Sequence, residues 1–100
     1  MAQQHGMHDP PHPGEFITEV YLVPHAISGR ELAARLDVAA STLSRVLSGS
    51  SRVSPEMALR LAKVLGRSAE SWLAMQDAHD LWAARRTVDL GRVRPLELTA

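Results

Sequence analysis

The chain predicts an all-α fold of five helices in one domain, and three observations carry that prediction. Apolar residues recur at helical spacing in five separate stretches. The stretches open on start signals: Pro13, Ser28-Gly29-Arg30-Glu31, Ser54-Pro55-Glu56 and Ser68. They end on breakers, at Pro24, Gly49 and Gly66. One hundred residues suffice for a single modest core.

The first helix starts at Pro13, where a missing N–H costs nothing, and Phe16, Ile17, Val20 and Tyr21 form its apolar face. Pro24 should stop it. Helix two begins in the capping box Ser28 to Glu31, where serine and glutamate satisfy each other's open backbone groups, and buries Leu32, Ala33 and Leu36. Helix three runs from Ala40 to Ser48, buries Leu43, Val46 and Leu47, and is closed by Gly49 in a left-handed conformation. Helix four follows Ser54, turns Met57, Ala58, Leu61, Ala62, Val64 and Leu65 inward, and ends at Gly66. Helix five is capped by Ser68 and should reach about Arg85.

Helix five is broader in its apolar face than a one-sided helix requires. Trp72, Met75, Ala78, His79, Leu81, Trp82 and Ala83 span about 200°, against the roughly 100° of an ordinary stripe. Trp72 and Trp82 are separated by about 15 Å of helix. A bundle this small is expected to leave part of that face for a second copy, through Met75, Ala78, His79, Leu81 and Trp82. The competing expectation is an intramolecular stripe, with Trp82 folded onto helix one.

Residues 28–49, SGRELAARLDVAASTLSRVLSG, place two short amphipathic helices around a tight turn at Asp37. The free face of the second carries Thr42, Ser44 and Arg45. A helix presented this way fits the DNA major groove. Charge agrees with that partner. Net charge is zero, yet residues 28–67 carry seven basic and three acidic residues, or +4; residues 1–27 stand at −3 and residues 68–100 at −1. The positive field lies where the two short helices lie.

Other classes are argued against on the same terms. The sequence has no cysteine, which excludes disulfides and thiolate metal sites and suits a reducing, cytoplasmic setting; no run approaches a membrane span. Residues 1–12 read as a flexible arm, and His5, His8 and His12 lack a further ligand to complete a metal shell. No acid/base pair is placed beside a nucleophile, so no catalytic residue, cofactor or metal is expected. The folded domain is therefore 13–86. Residues 87–100 form a tail whose brief alternation at Val88 and Leu90 fits an edge strand across a dimer and a disordered end equally.

Residues 28–49 resemble the helix-turn-helix of the phage-repressor superfamily (Cro/cI, XRE-like), which implies a lambda-repressor-like DNA-binding domain. Beyond that motif, PPHPGE (Pro10 to Glu15), SPEMALRLAKVLGRSAESWL (Ser54 to Leu73) and MQDAHDLWAA (Met75 to Ala84) resemble HigA-type (VapI-like) antitoxins. The resemblance implies a compact homodimer, for which the long C-terminal helix five is the expected dimerisation helix, and it carries DNA contact over to Ala40, Ser41, Thr42, Ser44 and Arg45 on helix three and to Ser50, Ser51 and Arg52 in the following loop. It implies repression of the chain's own operon and neutralisation of a HigB-type toxin similar to RelE-like mRNA endonucleases.

Some positions depart from the superfamily pattern. Asp37 stands where glycine is usual in the turn, Gly29 where glutamine begins helix two, and Ala39 where serine or threonine caps helix three. The last should cost about 1 kcal/mol. With small side chains at Ala40 and Ser41, affinity is expected to lean on phosphate contacts and DNA shape. The acidic segment of residues 1–27, through Glu15 and Glu19, is the surface expected to meet a basic toxin. A self-standing repressor without a toxin, and an interaction module that lost its DNA contact, remain the competing functions.

Overall fold

The computed structural model describes residues 9–98, and no strand occurs among the described residues. The first helix, α1, is continuous through Pro13–Ile17, Thr18–Leu22 and Val23–His25. It is followed by α2 (Gly29–Leu36), α3 (Ala40–Leu47), α4 (Pro55–Leu65) and α5 (Ala69–Thr87). The five expected helices are present, and their caps explain their bounds. Ser28, Ser54 and Ser68 each accept a backbone N–H from three residues on, at 3.0, 3.1 and 3.0 Å. Ala39 supplies no side-chain cap to α3, and Asp37 takes the left-handed turn with φ 58° and ψ 48°.

Helix α1 departs from expectation in two related ways. Pro24 does not stop it; the helix passes through Pro24 and closes at Ala26, with φ 54° and the Ile27 N–H bonded to the Leu22 carbonyl at 2.9 Å. Residues 18–22 form a π turn, with the Val23 N–H bonded five residues back to Thr18. That wider turn replaces the i→i−4 ladder just where Pro24 has no N–H to offer and its ring needs room. The extra residue also rotates the buried face. Leu22, five residues after Ile17, is buried, while Tyr21 is half-buried and Val20 is 42% exposed.

The core is drawn from every helix: Ile17 and Leu22 of α1, Leu32, Ala33 and Leu36 of α2, Leu43 and Val46 of α3, Met57, Ala58 and Leu61 of α4, and Trp72 of α5. Trp72 is fully buried beside Phe16 and Tyr21, so this end of the helix-five stripe faces inward. Its indole N–H donates to the Gly66 carbonyl at 3.2 Å. Helix α1 crosses the end of α3 at Gly14, where an added Cβ would strike the Val46 carbonyl oxygen and come within 2.7 Å of the Leu47 Cα. Such contact fixes the pose of α3 on the body.

Packing against the body extends ahead of Pro13. His12 is buried and caps α1, its Nδ1 accepting the Gly14 N–H at 2.9 Å, and the His79 ring packs edge-on at 5.3 Å. At the other end, residues 88–98 are exposed and irregular, with a turn at Gly91 and Arg92 closed by the Val93 N–H on the Leu90 carbonyl at 3.0 Å, and no strand partner occurs among the described residues.

Candidate nucleic-acid interface

On α3 the apolar side and the open side are cleanly divided. Leu43 and Val46 are buried and Leu47 is half-buried, whereas Ala40, Ser41, Ser44 and Arg45 are exposed. At 100° per residue these four share an arc of about 140°. Thr42 lies at its edge and is half-buried, lining a shallow hollow with Ser54 and Glu56 at the start of α4. Among the described residues Arg45 has no ion-pair partner, Glu31 included, so its charge is available to an external anion.

The turn that aims α3 is held from α4. Arg60 donates through Nη1 to the carbonyls of Leu36 and Asp37, at 2.8 and 3.2 Å, and pairs with Glu56 at 2.8 Å. The guanidinium thereby satisfies carbonyls at the end of α2 that helix geometry leaves open. Arg60 therefore belongs to the scaffold, although its charge formed part of the basic segment.

The loop after α3 is tied to the helix end. The Arg45 carbonyl accepts the N–H groups of Ser50 and Ser51, both at 3.0 Å, and the Ser50 hydroxyl at 3.2 Å. Ser50 is exposed and Ser51 half-buried. Arg52 turns the other way: its Nε donates to Asp80 at 2.7 Å and its Nη2 to Asp77 at 3.2 Å, both on α5. Burial pushes the Asp80 carboxyl up, but hydrogen bonds from Arg52 and Gln76 outweigh it and hold the carboxyl below the usual carboxylate range. Of the expected contact set, Ala40, Ser41, Ser44, Arg45 and Ser50 present one exposed surface; Thr42 and Ser51 are partly withdrawn, and Arg52 is engaged within the chain.

The residues expected at a self-association face also divide. Met75 packs on the core, and His79 Nδ1 lies 2.9 Å from the Pro10 carbonyl. Ala78 and Leu81 are exposed, and half-buried Trp82 carries the Arg86 guanidinium 4.7 Å above its ring. Glu15 and Glu19 are both exposed on α1. His5 and His8 lie outside the described residues, among which no group of three His, Asp or Glu is placed to hold a metal. No helix among them is long and apolar enough to cross a membrane.

Three residues with evident roles escaped sequence reasoning. Gly14 was visible only inside PPHPGE, with no physical reason attached. His12 was assigned to a loose arm. Gln76 is 1% exposed, and the signal that could have found it was a polar residue one turn after Trp72 on a buried face.

The family model described as helix-turn-helix matches residues 21–72. The Escherichia coli HTH-type transcriptional regulator YddM is 43% identical over 86% of this chain and 90% of its own length. The solved antitoxin GraA is similar with a TM-score of 0.84 and 36% identity, over 89% of this chain and 99% of its own. The Pseudomonas aeruginosa antitoxin HigA, solved with the higBA promoter, has a TM-score of 0.76 and 29% identity, over 88% of this chain and 99% of its own.

Proposed function

The chain belongs to the helix-turn-helix family, in its HigA-type antitoxin branch, and on that footing we propose that it works as a dimeric autorepressor that also neutralises a HigB-type toxin. DNA binding is the part with the broadest support, since similar proteins were solved on operator or promoter DNA. The observation that carries the reading to this chain is the exposed arc of Ala40, Ser41, Ser44 and Arg45, with Ser50 beside it.

In this mechanism α3 enters the major groove. Arg45, one helical turn after Ser41, reaches a base edge or a phosphate, and the hydroxyls of Ser41 and Ser44 donate to phosphate oxygens or bases. Gly14 and Arg60 add no contact; they keep α3 at a fixed angle to the body. Two copies joined through Ala78, Leu81 and Trp82 would present two α3 helices about 34–36 Å apart, one DNA turn.

Toxin capture rests on α1. Ribosome-dependent RNases need basic surfaces to hold RNA, and Glu15 and Glu19 offer such a surface exposed carboxylates. Co-expression with the RNase encoded beside this gene tests the pairing. Growth should be restored and a complex recovered, weakened by salt and by replacing Glu15 and Glu19 with lysine. If the neighbouring toxin still arrests growth, or no such gene adjoins, the antitoxin role fails and the self-standing repressor takes its place. The similarity to YddM, described as a transcriptional regulator, keeps that second reading in play.

A further inference from the structure

The segment MQDAHDLWAA contains a hydrogen-bonded circuit that neither DNA reading nor toxin capture accounts for. Val53 is fully buried in the loop between α3 and α4, and its N–H donates to Gln76 Oε1 at 2.8 Å. That bond leaves the buried Gln76 amide one orientation, with Nε2 aimed at Asp80 at 3.0 Å. One Asp80 oxygen takes this bond and the other takes Arg52 Nε at 2.7 Å. The circuit therefore begins at Val53 and returns at Arg52, tying two consecutive loop residues to one face of α5. Upstream, Ser50 and Ser51 are tied to the Arg45 carbonyl.

We infer that Gln76 and Asp80 are positioning residues for DNA binding, and that Arg52 is their latch on the loop after α3 rather than a phosphate contact. The inference rests on the DNA-binding reading above. An exposed ion pair alone would hold little. Here the pair is set by a buried amide whose alternative is an unsatisfied backbone N–H in the core, so its geometry is imposed from inside. The loop is then ordered before DNA arrives, and the cost of ordering it is not charged against binding. The same helix carries Ala78, Leu81 and Trp82, so the loop keeps its register with the proposed self-association face.

The test uses the full chain and a labelled duplex from the DNA immediately upstream of this gene, titrated at several salt concentrations, with a scrambled duplex as control. Wild-type binding comes first; if neither duplex is bound, the DNA-binding reading itself falls and takes the inference with it. For Arg52→Gln the latch predicts affinity reduced about three- to tenfold, with the slope of log affinity against log salt unchanged. A slope smaller by about 0.9 would identify a lost phosphate contact and overturn the inference. Asp80→Ala separates the two by sign. The latch predicts a loss comparable to Arg52→Gln although a negative charge is gone, and no further loss in the double variant. A gain in affinity, from a freed Arg52, or no change, overturns it. Asp80→Ala also takes the acceptor from the buried Gln76 amide and should lower the thermal midpoint, so each variant is titrated at a temperature well below its own melt, which keeps folding out of the measurement.

Discussion

Gly14 has no side chain because the backbone of α3 occupies the space. A methyl group there meets the Val46 carbonyl and the Leu47 backbone, which cannot yield as a flexible side chain does. Gly14→Ala should therefore cost about 3 kcal/mol, or displace α3 and lose operator binding while the helices persist. Chemical denaturation and an operator titration check both; wild-type values in the two together would contradict the close crossing. The glycine was legible in the sequence, its reason was not, because a helix crossing depends on a partner 32 residues away. Arg52 illustrates the same limit. Its position after α3 suggested a phosphate contact, and only the fold brings Asp77 and Asp80 to it.

Caps, turns and apolar spacing are local, and they place α2 to α5, although Val64, expected to turn inward on α4, is 36% exposed. Helices α2 to α5 begin at the serines and the alanine expected, and Leu32, Ala33, Leu36, Leu43 and Val46 are buried as their spacing requires. Helix α1 was misread because an i, i+4 template cannot anticipate a π turn, and one inserted residue moved burial to Leu22. The His12 cap was missed because histidine is not an ordinary N-cap, and its packing depends on His79, 67 positions on. That cap carries a pH dependence. Burial, then the nearby His79, push the His12 imidazole below its ordinary value, and an imidazolium cannot accept the Gly14 N–H at Nδ1. A folded value below the unfolded 6.5 means stability is fully present above about pH 6.5 and is lost as pH falls below it. His12→Asn keeps a capping oxygen without the titration. The stability advantage of wild type over this variant should shrink from pH 7.5 to pH 5.5 in thermal melts; an advantage independent of pH would contradict the assignment.

At the scale of the molecule, neutrality conceals a division of labour. Of the seven cations in residues 28–67, Arg52 and Arg60 are spent on internal bonds, and Arg67 lies over the Phe16 and Trp72 rings. Glu56 is already within the count of +4 and Arg67 keeps its charge over neutral rings, so it is the pairing of Arg52 with Asp77 and Asp80 that trims the field, and the arrangement of α3 must carry more of the binding. The proposed two-fold association would multiply that modest surface. Leu81 is half exposed beside Trp82, and replacing both with polar residues should give monomers in sedimentation with much weaker operator affinity; a dimeric double variant would place the interface elsewhere. The most direct test of the whole account is a hydroxyl-radical footprint of the DNA upstream of this gene, with wild type and Arg45→Ala. Two protected half-sites on one DNA face are expected, centred about 34–36 Å apart. Arg45→Ala should lose them, with affinity down by about 1–3 kcal/mol and the fold intact. An unprotected duplex, or an Arg45→Ala footprint equal to wild type, would contradict it.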